Sequence, residues 1–115
     1  MNLPFLKQTE SEIVKASLEY LQSRGISAIR MNVGAVRFAD KNGGQNFVRF
    51  GTPGMSDILG ILPDGRALAV ECKTANGRLS GFQSEFLDTI RRNNGVAIVA
   101  RSVEDVELGL KEAGF

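Results

Sequence analysis

The segment DILGILPDGRALAVECK, residues 57–73, consists of two short apolar runs around a Pro-Asp-Gly-Arg turn. Runs of this length and composition, joined by so tight a turn, predict two neighbouring antiparallel strands over 57–62 and 67–73. Side chains alternate along a strand, so Glu71 and Lys73 share one face while Val70 and Cys72 point to the other. The turn also brings the start of the first strand opposite the end of the second. Asp57 is therefore expected beside Glu71 and Lys73, although fourteen to sixteen positions separate them in sequence.

The remaining elements follow from caps, turns and periodicity. Thr9 and Glu12 have capping-box spacing, and Ile13, Val14, Leu18 and Leu21 supply an apolar side, predicting a helix from Glu10 to Arg24 closed by Gly25. Residues 26–33 read as a strand. A hairpin follows with its turn around Asn42, Gly43 and Gly44, and Pro53-Gly54 suits the centre of a type II turn. Ser80 and Gln83 repeat the capping box ahead of a helix whose apolar stripe is Phe82, Phe86, Leu87 and Ile90; Asn94 and Gly95 end it. VAIVA, residues 96–100, reads as a buried strand, and Ser102 opens a last helix carrying Val103, Val106 and Leu110. The order predicts an α/β domain with a mixed central sheet flanked by helices.

A chain of 115 residues with 43% apolar and 23% charged residues fits a single domain able to form a core without disulfides. There is no histidine and one cysteine, Cys72, which excludes zinc sites, Cys/His pairs and Ser-His-Asp triads. Any metal must be held by oxygen. No apolar segment follows the N-terminus in the manner of a signal peptide or membrane helix, so an intracellular location is expected. Net charge is only +1, but residues 1–56 hold seven Lys/Arg against four Asp/Glu, and residues 57–115 hold seven against nine. The basic surplus thus lies ahead of Asp57.

Two carboxylates held roughly 4 Å apart repel by about 4 kcal/mol at an effective dielectric near 20, a large fraction of a small domain's stability. A divalent cation offsets this better than one lysine, because it accepts both carboxylates together with a main-chain carbonyl and water. Mg²⁺, which keeps few carboxylates and several open positions for phosphate, suits the arrangement, with Mn²⁺ as the alternative. Lys73 is then placed to hold or deprotonate an attacking water.

Asp57, the gap and Glu71-Cys72-Lys73 form the pattern D-(x)n-E-x-K, which resembles the PD-(D/E)XK nuclease superfamily. The longer stretch GTPGMSDILGILPDGRALAVECKTANGRLSGFQSEFL, residues 51–87, resembles its VRR-NUC subfamily, whose stand-alone bacterial and phage members are minimal nucleases similar to Holliday-junction resolvases. The resemblance implies a restriction-endonuclease-like core of order αβββαβ plus a C-terminal helix, Mg²⁺- or Mn²⁺-dependent cleavage of DNA to 5′-phosphate and 3′-hydroxyl ends, and branched DNA as substrate. It implies Asp57, Glu71 and the main-chain carbonyl of Cys72 as metal ligands, Lys73 as the water-positioning lysine, Glu12 as a further acid from the first helix and Gln83 as a supporting residue. For a four-way junction it implies a homodimer. Ser56 stands where the superfamily pattern has proline, a position that carries no ligand.

Several of these residues have plainer readings. Glu-x-Lys alone is frequent by chance and acquires meaning from Asp57 across the hairpin. Thr9-x-x-Glu12 and Ser80-x-x-Gln83 are complete capping boxes without any metal. Cys72 suits a small buried hydrophobe. Arg30, Arg37, Lys41 and Arg49, before Asp57, and Arg78, in the loop after Lys73, are candidate phosphate contacts, or else scattered surface charge. Arg91 and Arg92 suit the C-terminal end of a helix. The rival functions are a nuclease of the same fold acting on flap, linear or single-stranded DNA, and a non-catalytic DNA-binding module.

Overall fold

The computed structural model describes residues 7–31, 34–39, 41–50 and 53–115, with the backbone alone for 34–39 and 45–50. The elements run α1 (Glu10–Ser23), β1 (Ser27–Arg30), β2 (Gly34–Ala39), β3 (Gln45–Phe50), β4 (Ile58–Ile61), β5 (Ala67–Cys72), α2 (Gly81–Arg92), β6 (Val96–Ala100) and α3 (Val103–Glu112). This is the element order read from the sequence.

The two capped helices start where their boxes place them. Thr9 Oγ1 accepts from the Glu12 amide at 3.1 Å and Glu12 Oε1 accepts from the Thr9 amide at 3.2 Å. Ser80 and Gln83 make the same reciprocal pair. Each box satisfies amides that the first turn leaves without helical partners.

Strands β1, β4, β5 and β6 form one mixed sheet in that order, antiparallel except between β5 and β6. The β4–β5 hairpin turns through Gly65, whose φ of +90° favours glycine, and Gly65 donates to the Leu62 carbonyl at 2.8 Å. The parallel β5–β6 pair needs a crossover, which α2 supplies. Alternation along β5 sorts the layers. Cys72 Sγ meets Ser17 Oγ of α1 at 4.0 Å, whereas Glu71 meets Gln83 of α2. Hence α1 lies on one face of the sheet and α2 on the other. The core on the α1 face gathers Ile13, Val14, Leu21, Ile58, Leu68, Val70, Val106 and Leu110, all buried. Gly109 of α3 presses against Ile98, since a Cβ there would lie 2.6 Å from Ile98 Cδ1.

Strands β2 and β3 pair with each other as a separate two-stranded sheet, with Arg37 opposite Phe47 and Arg49 opposite Ala35. Their turn includes Gly43 at φ +79°. Among the described residues no helix is long and apolar enough to cross a membrane.

Two expectations change. Phe82, placed by sequence in the buried stripe of α2, is 70% exposed. It sits in the first turn of the helix, against the Pro53-Gly54 turn, beyond the strands that Leu87 covers. Strand β6 is only partly buried, with Val96, Ala97 and Val99 half-exposed, because it forms a margin of the sheet. At the opposite side α2 leaves the β1–β4 half of its face open, and Ile29 and Ile61 remain exposed.

Candidate active site

Asp57 directly precedes β4, and continuing the ladder past Ile58–Val70 sets it opposite Glu71. Its carbonyl accepts from the Met31 amide at 2.7 Å, and its Oδ2 accepts from the Cys72 amide at 2.8 Å. The carboxylate is therefore held at both its backbone and its tip. In an extended strand the N–H and C=O of one residue point the same way, so the Cys72 carbonyl faces the side that carries Asp57.

Glu71 is 2% exposed. Its Oε1 accepts from Gln83 Nε2 at 3.0 Å, and its Oε2 is buried without a hydrogen-bond partner. Lys73 Nζ lies 4.0 Å from Glu71 Oε1 and 3.9 Å from Glu10 Oε1. Burial, and then the negative charge of Asp57, push the Glu71 carboxyl up to about 8, with Lys73 opposing. The Cys72 thiol is pushed up to about 12, chiefly by burial, which leaves it unreactive and packed against α1.

Gln83 makes two contacts at once. Its side-chain oxygen closes the α2 capping box while its side-chain nitrogen grips Glu71. Glu12 is engaged by the Thr9 amide in the cap of α1, and it is Glu10 that meets Lys73. Helical spacing held the signal: Glu10, Ile13 and Ser17 fall at i, i+3 and i+7 on the side of α1 that touches β5, while Glu12 is turned away.

Arg30 is exposed at the end of β1, on the α1 face, where it lines a groove with Glu12, Lys15 and Glu19; the carboxylate pair lies on the other face. Lys41 is exposed in the β2–β3 turn, and Arg78 is exposed in the loop between Lys73 and Ser80. The side chains of Arg37 and Arg49 lie outside the described residues. A second residue beyond the reach of sequence reading is Arg101, which joins the end of β6 to that same loop.

The VRR-NUC domain model matches residues 8–104. The chain belongs to the VRR-NUC family. Membership carries a nuclease-type function. A solved structure described as a VRR_NUC domain superposes with a TM-score of 0.59 at 20% identity, covering 89% of this chain and 94% of that one, and so shares its fold. No curated protein matches the sequence. Among the described residues of this VRR-NUC chain, the groups beside Asp57 and Glu71 suited to ligate a cation are carboxylate and carbonyl oxygens. Among the described residues no third Asp, Glu or Cys side chain completes a metal-holding cluster. A buried carboxylate oxygen without a partner next to a second carboxylate fits a hard divalent cation that draws its remaining ligands from main chain and water.

Proposed function

We propose that this VRR-NUC chain is a metal-dependent endonuclease that hydrolyses phosphodiester bonds in DNA and favours branched substrates such as four-way junctions. The observation that carries the reading is the buried Glu71 carboxyl beside Asp57, whose Oε2 makes no hydrogen bond while its Oε1 lies 4.0 Å from Lys73 Nζ. While both acids are charged Oε2 opposes folding, since a buried polar atom left unpaired costs about 1–3 kcal/mol, and a proton shared with Asp57 or a bound cation relieves it.

Asp57, Glu71 and the Cys72 carbonyl are the groups that would hold Mg²⁺ or Mn²⁺, which when bound would neutralise the carboxylate pair and stabilise charge on the phosphate during in-line displacement. Gln83 ties down Glu71 Oε1 and so leaves Oε2 as the free ligand. Lys73 holds the attacking water by a hydrogen bond from Nζ, and Glu10 keeps that amine near Glu71. The water oxygen bonds to phosphorus as the bond to the 3′ oxygen breaks, giving 5′-phosphate and 3′-hydroxyl ends, and the water's protons pass to the leaving oxygen and solvent. The family resemblance supports branched DNA. Two cuts in a four-way junction draw on two sites, which a twofold homodimer provides.

Fixed four-way junction, flap, linear duplex and single-stranded DNA, each incubated with Mg²⁺, Mn²⁺ or chelator, test the reading. Cleavage is expected with either metal, fastest on the junction, and absent with chelator. Asp57→Asn should abolish it with circular dichroism unchanged; full activity in that variant sinks the assignment. Light scattering at concentrations where the enzyme cuts junctions should report a dimer, and a monomer there overturns the two-site scheme.

A further inference from the structure

Arg101 follows the last residue of β6 and has no part in the scheme above. Its backbone amide donates to Asp105 Oδ2 at 2.8 Å, which fixes where the side chain leaves the strand. Its Nη1 donates to the carbonyl of Thr74 at 2.5 Å and of Gly77 at 2.7 Å, and reaches that of Ala75 at 3.4 Å. These carbonyls belong to the turn directly after Lys73, closed by the Gly77 amide donating to Thr74 at 3.0 Å. Gly77 in turn abuts Lys73, because a Cβ there would lie 3.4 Å from Lys73 Cδ. The Lys73 amide donates to the carbonyl of Ala100, the residue before Arg101, at 3.0 Å.

The end of β6 therefore grips Lys73 twice, once through its backbone and once through the turn against which its side chain rests. The turn has little to order it from within: Thr74, Ala75, Asn76 and Gly77 are small or polar, and Ala75 and Asn76 are exposed. Hydrogen bonds from a cation to carbonyls are stronger than neutral ones, and the planar guanidinium holds its N–H groups in a rigid fork that loses less freedom per bond than a lysine ammonium.

We infer that Arg101 is a positioning residue which, by gathering the carbonyls of Thr74 and Gly77, packs the turn against the Lys73 stem and keeps Nζ beside Glu71. The inference rests on the nuclease reading. It predicts a change in turnover without a change in DNA grip, since Nη1 is committed to the protein's own backbone.

Arg101→Ala and Arg101→Lys are compared with the unaltered protein for cleavage, DNA affinity across a salt series, and hydrogen exchange of residues 73–78. Arg101→Ala should lower kcat by about 10- to 100-fold, the scale on which small misplacements of reacting groups act, with KM nearly constant. The salt dependence of binding should keep its slope, amides 74–78 should exchange faster, and added guanidinium should restore part of the kcat in Arg101→Ala but none in Lys73→Ala. Arg101→Lys should fall between. Unchanged exchange at 74–78 overturns the inference whether or not the protein cuts DNA. So does a loss confined to KM with a shallower salt slope, which marks a direct phosphate contact. Failure of the unaltered protein to cut any substrate overturns the nuclease reading instead, while exchange still reports on the turn.

Discussion

Glu71 is an acid placed where its charged form is least welcome, out of water and beside Asp57. With its carboxyl pushed up to about 8 from 4.5, the folded chain holds a proton over that window which the unfolded chain has released. Folding then takes up a proton, so stability is greatest below the unfolded value and falls as pH rises through the folded one. Each pH unit across the window costs up to about 1.4 kcal/mol. Without metal, the melting temperature should therefore drop between about pH 5 and about pH 8, and Glu71→Gln should remove most of that slope. The proposed Mg²⁺ would bind the deprotonated form, so adding it should raise the melting temperature more at the alkaline end. A flat profile in the unaltered protein, measured by calorimetry with chelator present, contradicts the burial of a charged pair.

At the scale of elements, the site depends on how α2 is hung over the strand ends. Gly54 has φ +86°, and a Cβ there would lie 2.3 Å from the Phe82 carbonyl oxygen, so the turn ahead of Asp57 touches the backbone of the helix that carries Gln83. Gly54→Ala meets both a strained backbone and a collision with main chain. It should cost about 1–3 kcal/mol in urea denaturation and lower cleavage beyond what stability explains, because Gln83 is carried away from Glu71. Cleavage equal to that of the unaltered protein would show that the helix adjusts freely. The elements themselves were legible in sequence because their signals are local: two capping boxes, the PDGR turn, Pro53-Gly54 and the apolar runs. What escaped depends on where elements end relative to one another. Phe82 carries the same apolar signal as Leu87 yet overhangs the sheet. VAIVA reads as interior, yet its strand is marginal. Glu10 and Glu12 differ only by helical rotation, and Arg101 finds its carbonyls more than twenty residues earlier in the chain.

For the molecule as a whole, three of the candidate phosphate contacts lie in a different part of the chain from the candidate catalytic groups. The basic surplus lies before Asp57, and Arg37, Lys41 and Arg49 belong to a hairpin with a sheet of its own, inserted between the two strands whose ends meet at Met31 and Asp57. The carboxylates sit in the other sheet. Phosphate contacts release counterions, so each contact steepens the fall of affinity with salt by about 0.9 in the log–log slope on duplex DNA. If the hairpin supplies such contacts, replacing Arg37, Lys41 and Arg49 together with glutamine should flatten that slope by up to about 3 and raise KM, with kcat at saturating DNA nearly unchanged. Arg30→Gln should do far less, since Arg30 lies on the α1 face of the main sheet, away from Glu71. Asp57→Asn should show the opposite pattern, with the slope kept and turnover lost. Binding isotherms over a salt series, paired with single-turnover cleavage, separate the two behaviours. A triple variant that loses kcat while keeping its slope would mean that the hairpin shapes the catalytic site rather than holding the DNA.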